Sequence, residues 1–245
     1  MGLYTSIVQK KQQKQKLFAV LIDPDKLALE DAEKMAALCM NAHVDFIFIG
    51  GSLLTENTFS NCVKAFKKYG SIPVVIFPGS TMQVCSSADA LLFLSLISGR
   101  NADMLIGKHV IAAPIIKKTN VEVIPTGYML IESGKLTSVM YMSNTIPIPA
   151  DKDDIAYCTA IAGEMLGLKA IFLEAGSGAQ CCVNTKIIEK VSNAINIPLI
   201  VGGGIDKPQK AIDICNAGAD IIVVGNAIEK KQTLIKDISE AVHNL

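Results

Sequence analysis

Eight short apolar runs, continuous but for Ser95 and Glu122, recur along this chain: Leu17–Ile22, Phe46–Ile49, Val74–Phe77, Leu91–Leu96, Val121–Pro125, Ala170–Leu173, Leu199–Val201 and Ile221–Val224. A strand with one wet face alternates apolar and polar residues, whereas a strand buried on both faces reads as a continuous apolar run. The runs therefore predict a parallel sheet covered by helices. Between most of them lie segments with apolar residues at i, i+3 and i+4, namely Ala28–Asn41, Thr58–Tyr69, Asp154–Leu166, Thr185–Ile195, Pro208–Asn216 and Ala227–Val242. Pro208 stands where a helix start tolerates proline, with Asp206 as the expected cap, and Gly218 supplies the stop.

Eight strands with helices between them in 245 residues fit a single (β/α)8 TIM barrel, which typically takes about 250 residues. A doubly wound sheet would want a dinucleotide fingerprint at a strand end. Neither Gly202-Gly203-Gly204 nor Gly176-Ser177-Gly178 goes on to complete G-x-G-x-x-G. No linker or composition break marks a second domain, so residues 1–245 are expected to form one barrel with 1–16 as a lead-in segment. Two departures from the ideal pattern are expected. The third helix, after Phe77-Pro78-Gly79-Ser80, is weak or missing, and Tyr128–Ser143 reads as a β-hairpin turning at Ser133-Gly134.

Charge narrows the function classes. Lys plus Arg and Asp plus Glu each number 23, so the formal net charge is zero, which argues against a globally basic nucleic-acid binder. No apolar run approaches the roughly 18 residues of a membrane-spanning helix. The start, MGLYTSIVQKKQQKQK, is basic but lacks the apolar stretch of a secretion signal. The seven cysteines show no metal-ligand spacing and read as reduced thiols in a cytoplasmic protein. The lysines of that start, Lys10, Lys11, Lys14 and Lys16, suit either a solvated first helix or contact with anionic lipid.

In a barrel, chemistry collects on the loops that follow the strands, and the unusual residues of this chain fall there. The strand ends carry, in order, Asp23-Pro24-Asp25-Lys26, Gly50-Gly51-Ser52, Phe77-Pro78-Gly79-Ser80, Ser98-Gly99-Arg100-Asn101, Pro125-Thr126-Gly127-Tyr128, Glu174–Gly178, Gly202-Gly203-Gly204 and Gly225-Asn226. The last three are glycine clusters on adjacent strands. Glycine lets backbone N–H groups converge on an anion without a Cβ in the way, and the loops after strands seven and eight form the usual barrel phosphate site. None of the three contains Lys or Arg, so the anion would be held by dipoles and N–H groups.

Asp23 and Ser52, on neighbouring strands, are the metal candidates, because Mg²⁺ takes one or two carboxylates plus hydroxyl, water and phosphate oxygens. Asp25 is readable as a further acid or as the N-cap of a helix over Lys26–Asn41. Glu174 emerges from an apolar strand into the barrel mouth, where desolvation raises a carboxyl's pKa and suits it to general-base work; the alternative is a structural ion pair with a lysine. Arg100 could fork onto a second phosphate group or form a surface ion pair. His109 is a cap or a functional imidazole, and Tyr128 either bonds a ligand or closes the barrel.

Taken in order, Leu21–Lys26, Gly50–Ser52, Phe77–Ser80, Ile106–His109, Pro125–Tyr128, Phe172–Gly178, Val201–Gly204 and Val224–Asn226 resemble the geranylgeranylglyceryl and heptaprenylglyceryl phosphate synthase family. The likeness runs from about residue 17 to 230. It implies a modified TIM barrel, with the third helix commonly replaced by a strand-like segment. The implied reaction joins a long-chain prenyl diphosphate to the C3 hydroxyl of sn-glycerol 1-phosphate. The resemblance puts Mg²⁺ on Asp23 and Ser52, and glycerol phosphate on Phe172, Leu173, Glu174, Ala175, Gly176, Ser177, Gly178, Gly203, Gly204, Gly225 and Asn226. It makes Glu174 the base. Leu21 replaces a lysine found in the branch of the bacterial heptaprenyl enzymes, and the expected hairpin followed by Asn144-Thr145-Ile146-Pro147 looks like the branch shared by archaea and some bacteria. The implied donor is therefore geranylgeranyl diphosphate, and a homo-oligomer (dimer or hexamer) and peripheral membrane contact are further implications. The competing readings are a phosphosugar isomerase-like barrel and a non-catalytic phosphometabolite-binding barrel.

Overall fold

The computed structural model describes residues 2–245, so Met1 of the lead-in lies outside the described residues. Eight parallel strands close into a barrel in sequence order: β1 (Leu17–Ile22), β2 (Phe46–Ile49), β3 (Val74–Ile76), β4 (Ala90–Leu96), β5 (Glu122–Leu130), β6 (Ala170–Glu174), β7 (Leu199–Gly202) and β8 (Ile221–Val224). Each strand is split by its period of two. Leu17, Ala19, Phe46, Phe48, Ile124, Phe172 and Ile200 fill the barrel interior, while Phe18, Val20, Ile47, Ile49, Ile171 and Val201 pack outward under the helices. Burial on both faces is what made the runs continuous.

The outer layer comprises α2 (Ala32–Asn41), α3 (Phe59–Tyr69), α4 (Lys108–Ile116), α6 (Asp153–Met165), α7 (Thr185–Ser192), α8 (Pro208–Asn216) and α10 (Leu234–His243), with α5 (Ser138–Ser143) and α9 (Asn226–Lys230) as short pieces. A single π-turn, Asp103–Gly107, leads into α4. The stretch expected as one helix over Ala227–Val242 breaks into α9 and α10. At α8 the expected cap is corrected: Lys207 takes the extended N-cap conformation and Asp206 instead pairs with Lys210 at 2.9 Å. A residue before proline avoids the helical region, so the boundary falls at Lys207.

The lead-in contains a helix, α1 (Leu3–Gln12). It closes the base of the barrel: Ile7 is buried and packs with Leu3 and Tyr4 against the interior cluster. Glu122, at the first position of β5, accepts the N–H groups of Leu3 and Tyr4 and so caps α1 from another element. Lys10 pairs with Asp45 at 3.0 Å and Lys11 with Asp220 at 2.7 Å, while Lys16 donates to the Ala219 carbonyl. These basic tips are bound to the base of the barrel.

No helix joins β3 to β4, as expected; only turns span Phe77 to Asp89. The buried Gln83 side chain ties that stretch to its neighbour, donating to the Gly51 carbonyl and accepting from the Gly79 N–H, both at 3.0 Å. The hairpin expected at Tyr128–Ser143 does not form. Its first limb continues β5, where Tyr128 is in register with Leu96 of β4 and with Phe172 of β6. At Tyr128 both edges are paired, and beyond it the edge that β4 leaves is taken by Ile148, whose N–H donates to the Leu130 carbonyl, so a second limb has nothing to bond to. The chain instead crosses through Ile131, which makes one bridge to Ile148, and coils into α5. Among the described residues no helix is long and apolar enough to cross a membrane.

Candidate active site

A cavity of about 860 Å³ opens at the C-terminal ends of the strands. It has two arms. The polar arm is walled by Asp23, Ser52, Glu174, Gly176–Gly178, Gly203, Gly204, Gly225 and Asn226. The apolar arm runs along Leu91, Phe93, Leu94, Met104, Ala112, Ile116 and Val139. Leu91 and Phe93 face outward from β4, so this arm occupies the slot left by the missing helix between β3 and β4.

Glu174 stands where the interior layer ends. It is 7% exposed, and its Oε1 accepts the Gly176 N–H at 2.7 Å. Burial pushes its pKa up to about 7, against the opposing pull of that hydrogen bond. Gly203 shows why the next loop must be glycine: its φ is +88°, and a Cβ there would lie 2.7 Å from Glu174 Oε1. Ser177 donates to Asn226 Oδ1 at 3.1 Å, joining the loops after β6 and β8. Below the carboxyl, Phe77 and Phe172 stack at 5.1 Å, and Tyr128 meets both edge-on. Burial, followed by the charge of Glu174, holds the Tyr128 hydroxyl well above its ordinary pKa.

Asp23 lies on the same rim. Its Oδ1 accepts the Asp25 N–H at 3.1 Å, and its Oδ2 is 3.2 Å from Lys26 Nζ, which also pairs with Glu229. Gly51, next to Ser52, passes close by: a Cβ on it would be 3.5 Å from Asp23 Oδ1. Asp25 turns away and accepts the Thr55 N–H and hydroxyl at 2.6 and 3.0 Å. It caps no helix, because turns occupy Lys26–Leu27 and the next helical turn begins at Leu29.

Several expected residues do not meet the cavity through their side chains. Leu173 and Ala175 pack outward into the barrel–helix core, and Phe172 lies one layer below under Phe77. Period-two alternation along β6 separates Leu173 and Ala175 from Glu174. Arg100 stays outside the cavity with its guanidinium on the carbonyls of Gly99 and Ile97, at 2.8 and 3.4 Å. Among the described residues it forms no ion pair. His109, by contrast, lines the apolar arm, edge-on to Phe93 with ring centroids 4.5 Å apart, and its Nε2 meets Ser95 Oγ at 3.1 Å. Burial lowers its pKa, which favours the neutral ring. Residues that the motifs did not contain are Gln83, which braces two loops, and the lysines Lys135 and Lys230, which bring cations to the cavity from outside the glycine clusters.

Comparison with known proteins agrees across sequence and structure. The PcrB family profile matches residues 9–242. A geranylgeranylglyceryl phosphate synthase of Chitinophaga pinensis is 56% identical over 241 residues, covering 98% of this chain and 96% of that protein. One from the archaeon Pyrococcus horikoshii is 40% identical over 234 residues, covering 95% and 91%. The crystal structure of (S)-3-O-geranylgeranylglyceryl phosphate synthase from Thermoplasma acidophilum with its substrate sn-glycerol-1-phosphate superposes with a TM-score of 0.95 at 29% identity, covering all of both chains.

Proposed function

Because the chain belongs to the PcrB family, we propose that it is a prenyltransferase that joins geranylgeranyl diphosphate to the C3 hydroxyl of sn-glycerol 1-phosphate, forming an ether and releasing diphosphate. The observation that carries this reading is the placement of Glu174. A carboxyl with a pKa raised to about 7 stands where a glycine-walled polar arm meets an aliphatic one. The glycine loops after β6, β7 and β8 hold the phosphate through backbone N–H groups. The C3 hydroxyl then faces Glu174, which takes its proton as the new C–O bond forms and the bond from prenyl C1 to the diphosphate breaks. The prenyl tail lies in the slot between β4 and α4.

The donor set at Asp23 and Ser52 fits a hard divalent cation. A carboxylate and a hydroxyl border the cavity on adjacent loops. That matches Mg²⁺, which keeps water and substrate phosphates as most of its ligands. When bound, it supplies neutralisation of the leaving diphosphate. Lys26 is placed to balance Asp23 when the metal is absent.

A cytoplasmic location is part of the same reading and is consistent with seven free thiols. So is a homo-oligomer, for which α4 and the turn before it offer the exposed Ile106, Val110, Ile111 and Ile115. The decisive experiment incubates the protein with Mg²⁺, labelled sn-glycerol 1-phosphate and geranylgeranyl diphosphate, then measures label in the organic phase. Transfer is expected, with loss on chelation and in Asp23→Asn. No transfer with any prenyl length would overturn the proposal.

A further inference from the structure

The glycine loops carry no cation of their own, yet one reaches them from elsewhere. Lys135 stands between β5 and α5, and its Nζ is 3.8 Å from the point a Cβ on Gly178 would occupy. The side-chain amide nitrogen of Asn226 lies 3.8 Å from the same point. An ammonium and an amide therefore converge on one glycine from different loops. Lys135 lines the cavity, and among the described residues it makes no ion pair. By contrast, Lys26 and Lys210 are already matched by acids.

The segment bearing Lys135 is fastened over the glycine loop at both ends. The Ser133 carbonyl accepts the Cys181 N–H at 3.2 Å. Thr137 lies against Gly176, its hydroxyl 2.6 Å from where a Cβ would be. Ser133 and Thr137 are 1% and 5% exposed, and neither hydroxyl has a hydrogen-bond partner. A buried hydroxyl without a partner is costly, and both flank the lysine. The strap thus brings an unpaired cation and unsatisfied polar atoms to a loop shaped for an anion.

We propose that Lys135 is the cation that neutralises the phosphate of sn-glycerol 1-phosphate, reaching over Gly178 from the strap. This rests on the substrate reading above and extends it to a residue outside the family motifs. Charge-assisted hydrogen bonds are stronger than neutral ones, and a solvent-facing ammonium gives the lower end of that gain.

Calorimetric titration with sn-glycerol 1-phosphate tests it. Lys135→Met should raise Kd about tenfold, Lys135→Arg should stay within about threefold of the native value, and Lys118→Met, which removes the same charge beyond the end of α4, should change nothing. A tenfold change corresponds to about 1.4 kcal/mol. The native protein's affinity should fall with added salt more steeply than that of Lys135→Met. If the native protein binds the ligand and Lys135→Met binds it equally well, the assignment to Lys135 fails while the substrate reading stands. It fails in the same way if Lys118→Met weakens binding as much, or if Lys135→Met instead raises KM only for the prenyl diphosphate. A native protein that does not bind sn-glycerol 1-phosphate overturns both.

Discussion

The carboxyl of Glu174 sits in a position that costs the protein stability and, in the proposed mechanism, gives it a base. Its pKa of about 7, against an ordinary 4.5, means the folded state keeps a proton that the unfolded chain has released. Stability from this group therefore falls as pH rises from about 4.5 to about 7. Activity should rise over the upper part of that range as the base ionises. Glu174→Gln should lower kcat about 10²- to 10⁴-fold, leave the Kd for sn-glycerol 1-phosphate within about threefold, and lose the pH dependence near 7. The same variant should melt higher than the native protein at pH 8 but not at pH 4, which thermal scans at the two pH values would check. Glu174 was legible in the sequence because an acid ending an apolar run has few places to go. Lys135 was not, since an exposed lysine in an aperiodic loop looks like any other until the loop is folded over Gly178. The place of Arg100 at a strand end was legible too, whereas the carbonyls of Gly99 and Ile97 that hold its guanidinium were not.

Among the elements, α1 has a weak sequence signal and a clear job. Its apolar residues are few, and what holds it is the barrel's base: Ile7 inside, Glu122 at its N-terminus, Asp45 and Asp220 along its basic side. Such cross-element capping cannot be read from the helix itself. Glu122→Ala should cost about 1 kcal/mol, the usual scale of a lost N-cap, and should speed amide exchange in α1. Turnover should be unchanged, because the cavity lies at the other end of the strands. The expected hairpin fails for a similar reason. Tyr128–Leu130 has the composition of a free strand, but whether its edges are free is decided by β4, β6 and Ile148, none of them adjacent in sequence. The missing helix between β3 and β4 was legible, since no apolar periodicity occurs after Ser80. Its consequence, an aliphatic slot on the outer side of β4, required the barrel to be closed first.

For the whole molecule, binding at loops drawn from most of the strands should couple to global unfolding. A ligand present at 100 times its Kd stabilises the folded state by about 2.7 kcal/mol. For a chain of 150–250 residues that is about 5–10 °C in Tm. Saturating sn-glycerol 1-phosphate should produce such a rise, while glycerol at the same concentration should not, since it lacks the anion that the glycine loops are proposed to receive. The zero net charge fits this division of labour: an anion can be met by backbone dipoles, one lysine and a metal without a basic surface.

The sealing of the barrel base by α1 also has a logistic meaning. The interior below Phe172 is filled with side chains and then stoppered by Ile7, so the axis is a cul-de-sac. Two hydrophilic reactants or leaving groups and one greasy product must share the traffic at the opposite end. The glycerol moiety arrives as a small water-borne anion and departs attached to a long hydrocarbon. Each turnover therefore converts the occupant of that doorway from something water will take back into something it will not, and the next donor waits on whatever carries the lipid away.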